Sequence, residues 1–292
     1  MSIQESITRA QTALKEQPWR LFASQISVLV RNGVRRNLFT RRRIWVYLLA
    51  LTPVVILILK SIFNRDFNDP SQMENQTLNF AGFVFQLYYL RLGIFFACMG
   101  IFTWLIRGEI VERTLHYQFL VPVRKEVLVV GKFLAGAIVS IALFETAVLA
   151  CFCLTYSQFG SAGRSYVLDG PGLSQLGSYL LVTALACLGY GAVFLALSLL
   201  FKNPIIPGAI LMGWEAFAPI FPAWAQRLSV TFYLKHLCPV SLPVTGPMAI
   251  FMVVAEPVSP FIAVFGLLCL TIAVLVLSCF LIHRIEITYA AE

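Results

Sequence analysis

Two stretches of this 292-residue chain contain no charged side chain: Gly177–Phe201, 25 residues, and Phe261–Ile282, 22 residues. At a rise of about 1.5 Å per residue, either one crosses the ~30 Å hydrocarbon core of a bilayer as an α-helix. Four more apolar runs follow the same logic, approximately Ile44–Phe63, Phe83–Ile106, Val127–Tyr156 and Ile205–Ala225. The expected fold is therefore an all-α integral membrane protein with six transmembrane helices. Composition agrees, since 59% of residues are hydrophobic and only 12% charged, about half the charged share of a soluble domain. The first forty residues are polar and basic, so the first apolar run is expected to act as the targeting signal.

The net charge of +8 does not point to nucleic acid, because the cations flank the apolar runs on one side. Nine precede the first run, including Arg31, Arg35, Arg36, Arg41, Arg42 and Arg43. Five more fall between the second and third runs: Arg107, Arg113, Arg124, Lys125 and Lys132. The positive-inside rule then puts both termini and the second-to-third connection in the cytoplasm. Residues 1–43 form a cytoplasmic N-terminal region, residues 44–283 the six-helix transmembrane domain and residues 284–292 a cytoplasmic tail. Within the first region Trp19, Phe22, Ile26, Leu29 and Val30 share a helical face. They suggest a helix lying in the membrane interface, its cations near anionic lipid headgroups; the alternative is a basic flank that only fixes topology.

Before the last run, Leu237–Pro260 is apolar but interrupted by Pro239, Pro243, Pro247, Pro257 and Pro260. Its longest unbroken part, Met248–Ala255, is too short to span. Short re-entrant helices on the exterior, over about residues 226–260, fit this pattern, because broken backbone at depth is tolerated when buried in protein. A seventh span would instead put the C-terminus outside.

The chemistry of soluble enzymes is missing. The one Gly-Lys pair, Gly131-Lys132, is followed by Phe133 and has Glu126 where a phosphate-binding loop needs its first Gly. Seven cysteines show neither zinc spacing nor a disulfide framework. Glu112 and His116 are four apart, which is half of a metal site with no second His nearby. No metal or catalytic residue is assigned.

The connection Arg107–Lys132 is patterned as a helix rather than a loop. Ile110, Leu115, Phe119 and Leu120 recur at roughly helical spacing among charges, and Pro122 closes the run. A short amphipathic helix at the membrane surface, over about residues 108–122, follows. Three charges lie away from the cytoplasmic ends of apolar runs, at depths that need explaining: Arg91 in the second, Glu145 in the third and Glu215, beside Trp214, in the fifth. Each costs about 2.5–3.5 kcal/mol at mid-bilayer and so faces protein or water. They line a translocation path or form ion pairs within the bundle. Pro207, Gly208, Gly213, Pro219 and Pro222 make the fifth run a bent helix, either a gate or a static kink.

At Glu112-Arg113-Thr114-Leu115, then Phe119-Leu120-Val121-Pro122-Val123, then Lys125-Glu126 and Gly131-Lys132, the chain resembles the permeases of ABC-2-type transporters. That family's second-to-third connection reads as an acidic residue, Gly-Thr-Leu, apolar residues, Pro-Val, basic residues and Gly-Lys; Arg113 stands where Gly is usual. The resemblance implies an interfacial N-terminal helix, a cytoplasmic coupling helix and re-entrant exterior helices before the last span. It also implies pairing with a second permease, as a homodimer or heterodimer, and docking of a separate cytoplasmic ATPase subunit that holds ATP and Mg. By this likeness Glu109, Glu112, Arg113, Thr114, Leu115, Phe119, Pro122 and Arg124 are the ATPase-coupling residues, and the chain is an exporter subunit of a bacterial cytoplasmic membrane. A membrane-integral enzyme such as an intramembrane protease, or a scaffold that moves nothing, are the competing expectations.

Overall fold

The computed structural model describes residues 19–38, 44–63, 73–111, 124–201, 203–240 and 258–284, and among these every regular element is a helix. In chain order they are α1 (Trp19–Leu38), α2 (Ile44–Phe63) and α3 (Met73–Asn79), which runs without a break through a π-helical segment (Phe80–Gly93) into α4 (Ile94–Val111). Then come α5 (Lys125–Ser157), α6 (Gly160–Leu168), α7 (Gly172–Leu200), α8 (Ile205–Phe217), α9 (Ala223–Gln226), α10 (Val230–Leu237) and α11 (Pro260–Leu281).

Five runs among the described residues are long and apolar enough to cross a membrane: α2, Met73–Glu109, α5, α7 and α11. Burial separates them into an inner and an outer set. Within their apolar windows 61% of Met73–Glu109, 61% of α5 and 67% of α7 are buried, against 17% of α2 and 22% of α11. The inner three meet at Phe102 of α4. A Cβ on Gly136 of α5 would lie 2.7 Å from its ring, and one on Gly191 of α7 would lie 2.5 Å from it. Glycine at these two positions lets the backbones approach, the usual device where apolar burial cannot itself drive helices together in lipid. Toward the start of the Met73–Glu109 run, Phe80 packs edge-on against Phe152 and Tyr179, at centroid separations of 5.8 and 5.4 Å.

The expected fifth span, Ile205–Ala225, is not one helix. Helix α8 has 13 residues, about 20 Å long, which falls short of the ~30 Å core. It ends in a 3-10 turn at Ala218–Ile220, where Pro219 and Pro222 remove backbone donors. The chain then turns back so that the Glu215 carboxylate accepts hydrogen bonds from Ser229 Oγ at 2.6 Å and from the Val230 and Thr231 amides, each at 3.0 Å. A buried carboxylate needs such partners, and the first turn of α10 has orphan amides to give. Of the re-entrant region expected over about 226–260, residues 241–257 lie outside the described residues.

Helix α2 contains Pro53, which cannot donate to the Leu49 carbonyl four residues back. The π-helical segment supplies what is missing. Tyr88 Oη donates to Leu49 O at 2.8 Å, and Tyr89 Oη to Ala50 O at 3.1 Å. Tyr88→Phe is thus expected to destabilise the folded protein in detergent by about 1–3 kcal/mol, the cost of one unsatisfied carbonyl. In a Pro53→Ala background, which restores the amide donor, the same substitution is expected to be nearly neutral. Thermal unfolding of the four proteins checks this, and an equal loss in both backgrounds contradicts it.

Candidate functional site

The second-to-third connection leaves the bundle at α4 and re-enters at α5, and α1 grips both of its roots. At the outgoing root, Glu109 Oε1 accepts from Arg36 Nη1 of α1 at 3.2 Å, while Oε2 takes the Lys132 ammonium of α5. Lys132 Nζ also donates to the Leu105 carbonyl at 3.1 Å. The Glu109 and Lys132 side chains are only 10% and 9% exposed, whereas Arg36 is 49% exposed. One carboxylate therefore holds a buried and a half-exposed cation. At the returning root, the Arg124 guanidinium lies 5.0 Å from the centroid of the Phe22 ring of α1, a cation–π contact.

Between these points α1 packs closely on α5. A Cβ on Gly33 would lie 2.6 Å from Ala135 Cβ, and one on Gly131 would lie 3.0 Å from Leu29. Gly131 and Ala135 are four apart on one face of α5, a small-x-x-x-small pair that admits the α1 backbone. The apolar face read for α1 thus meets α5 through Leu29, with Arg31, Arg35 and Arg36 exposed. A cavity of about 270 Å³ opens among Arg36, Asn37, Trp104, Glu109 and Lys132.

Two further ties hold this end of the bundle. Arg107 Nε donates to the Ser198 carbonyl at 3.0 Å, and its Nη2 to that of Phe201, so this cation satisfies the C-terminal carbonyls of α7. His283, after α11, lies 3.2 Å from Glu126 at the start of α5. Sequence reading took Arg107 only as a topology signal. No spacing links it to α7, because the contact joins residues more than ninety apart.

Of the residues singled out within the apolar runs, Arg91 and Glu215 share a second cavity, with no ion pair between them. Trp214 lies outside that lining and stacks on Phe221 at 4.9 Å. Glu145, on α5, lines neither cavity and makes no hydrogen bond or ion pair among the described residues. The expected amphipathic helix over about 108–122 begins as a continuation of α4 to Val111. From there on Glu112, Arg113, Thr114, Leu115, Phe119 and Pro122 lie outside the described residues, as does His116.

A scan against known families matches residues 48–280 to the ABC-2 family transporter proteins. The chain belongs to this family. The match covers all five long apolar runs except the first residues of α2 and the last residue of α11, so the permease is a multi-pass integral membrane protein and the membrane component of a transporter. The family implies association with an ATPase subunit. No curated protein matches the chain.

In the permease the ion-pair node sets a stability order. Glu109→Gln leaves the Lys132 cation buried beside a neutral amide, at a cost of about 3–5 kcal/mol. Arg36→Ala, removing the half-exposed partner, costs about 1 kcal/mol or less. The double replacement Glu109→Leu with Lys132→Met removes both buried charges and recovers most of the loss. Denaturant unfolding in detergent checks the order; equal losses for Glu109→Gln and Arg36→Ala contradict it.

Proposed function

We propose that the chain is the transmembrane permease subunit of an ATP-driven exporter. Its 112–123 connection docks a separate cytoplasmic ATPase, which holds ATP and Mg. Two permeases, identical or related, pair, and ATP-driven closure of the ATPases is relayed through the connection to move substrate outward. The distribution of Lys and Arg supports a cytoplasmic location for both termini and the α1 end of the bundle, with the bacterial cytoplasmic membrane as the proposed setting.

The observation that carries this reading is the double anchoring of α1, to Glu109 at one root of the connection and to Arg124 at the other. A force on the connection then reaches α1, α4 and α5 together, where a loop on loose roots would absorb it. Pairing is supported by Glu145, which shares a face of α5 with the exposed residues Ile138 and Leu149. A carboxylate at membrane depth is costly against lipid, and a second permease against that face gives it protein to meet.

Co-purification with the ATPase encoded nearest the gene tests the proposal. The expected result is a stable complex that hydrolyses ATP, while the isolated chain does not. Gly33→Leu, which forces α1 off Ala135, is expected to retain the ATPase but to abolish the response of hydrolysis to the permease. Failure of any ATPase to associate, or hydrolysis by the isolated chain, contradicts the reading.

A further inference from the structure

The second cavity, about 230 Å³, holds two cations, Arg91 and Lys235, whose side chains make no ion pair among the described residues. Its wall is built on the π-helical segment, from Gly82, Gln86, Leu87, Leu90 and Arg91. Bonding from i to i+5 brings residues four and five apart onto one face, so Gly82, Gln86, Leu87 and Arg91 fall in register there. Ordinary α-helical winding would spread them. Single-turn π-bulges occur often at functional sites, and this segment is 14 residues long. The opposite wall comes from α8 and α10, through Glu215, Thr231 and Lys235.

The polar groups of this cavity divide sharply. Gln86 Nε2 donates to the Val240 carbonyl at 3.2 Å, and Thr231 Oγ1 lies 2.9 Å from Tyr190 Oη. Both oxygens of Glu215 are engaged by Ser229 and the first amides of α10. Arg91 and Lys235 alone are left: among the described residues neither makes a hydrogen bond or an ion pair. Removal from water lowers the pKa of Lys235, and the nearby charge of Arg91 acts in the same direction, opposed more weakly by the Glu215 carboxylate. The cavity lining carries these two cations against the single Glu215 carboxylate, a net positive charge that is costly at low dielectric.

Depth narrows the choice of anion. Arg91 stands eighteen residues before Glu109 on one helical run, about 27 Å along the axis, close to the full ~30 Å of a hydrocarbon core. With Glu109 near one interface, Arg91 and Lys235 sit near the headgroup level of the other. A volume of about 230 Å³ is roughly eight times a water's share of the liquid, enough for a headgroup-sized ion but not for a polymer.

We infer that Arg91 and Lys235 form a binding site for a phosphate-bearing anion, entered from the leaflet opposite the α1 end. Arg provides a planar fork for two phosphate oxygens and Lys a point charge on a third. The phosphate belongs to a lipid headgroup or to a soluble phosphate, and the two are separable by experiment. This inference rests on the chain being a membrane permease, not on its docking an ATPase. It also gives the transport reading a ligand class.

The test uses the purified permease without an ATPase, so that failure of coupling and failure of the site are seen separately. Native mass spectrometry and thermal unfolding follow retention of phosphatidylglycerol against phosphatidylcholine, with and without inorganic phosphate. Wild type is expected to retain phosphatidylglycerol preferentially and to be stabilised by it. Arg91→Gln and Lys235→Gln are each expected to weaken retention about 10-fold, as loss of one charge-assisted bond implies. Arg164→Gln, an exposed cation on α6, is expected to change nothing, and Arg91→Lys to restore part of the binding. Removing unpaired cations does not weaken the lipid-free protein, so the double variant is expected to unfold no earlier than wild type. Phosphatidylglycerol held against millimolar inorganic phosphate supports the site with a lipid headgroup. Displacement by inorganic phosphate supports it with a soluble anion. Equal retention of phosphatidylglycerol by wild type and the double variant overturns the inference.

Discussion

The Glu109 carboxylate is the charge on which the α1 end of this bundle depends. It is almost fully buried, as is Lys132, and neither could stay ionised there alone. Together they place opposite charges on α4 and α5, and Arg36 adds α1 as the third member. Hydrophobic burial cannot choose between helix arrangements inside a lipid phase, since lipid tails are as apolar as leucine. The ion pair and the close contacts at Gly33, Gly131, Gly136 and Gly191 make that choice instead. The first fixes which helices meet, and the second fixes how near they come.

The same economy governs the breaks in regular structure. Pro53 strips a donor from α2, and the tyrosines of the π-helical segment replace it. Helix α8 stops short of spanning, and its own Glu215 accepts from the first amides of α10, beyond the short α9. Arg107 closes the end of α7 from a different helix. Each break exposes polar backbone, and each is answered by a side chain from elsewhere in the bundle, because water cannot serve inside a bilayer. At Arg91 and Lys235 that internal satisfaction is missing among the described residues, and the cavity between them invites a ligand.

The long helices were legible from the sequence because length and hydropathy alone decide them: α2, α5, α7 and α11 lie where the apolar runs predict. Glu109 was also legible as a charge at the root of the connection, but its partners were not. Lys132 read as part of a basic flank, although a lysine just inside an apolar run is itself a sign that a carboxylate stands nearby. Arg36 was one cation among nine, with nothing local to single it out. The π-helical winding left no trace in hydropathy, since the apolar residues of Phe80–Gly93 are spread around the helix and only Gln86 and Arg91 interrupt them. The fifth run misled because its apolar count fits a span, whereas Pro219, Pro222 and the partners Glu215 demands end the helix at Phe217. Ion pairing of Arg91 with a glutamate was a fair expectation from charge alone. The first turn of α10 competes for the Glu215 carboxylate and takes it.

The central claim is that α1 moves as one body with the two roots of the connection. Spin labels at Ser27 on the exposed side of α1 and at Ser157 at the exposed far end of α5, in a permease–ATPase complex diluted with unlabelled permease, measure this directly by electron–electron double resonance. The account predicts one distance distribution, unshifted between the nucleotide-free and ATP-bound states, even as the complex turns over. A distribution that shifts or splits on ATP binding would show α1 sliding on α5, and would contradict a rigid relay through Glu109.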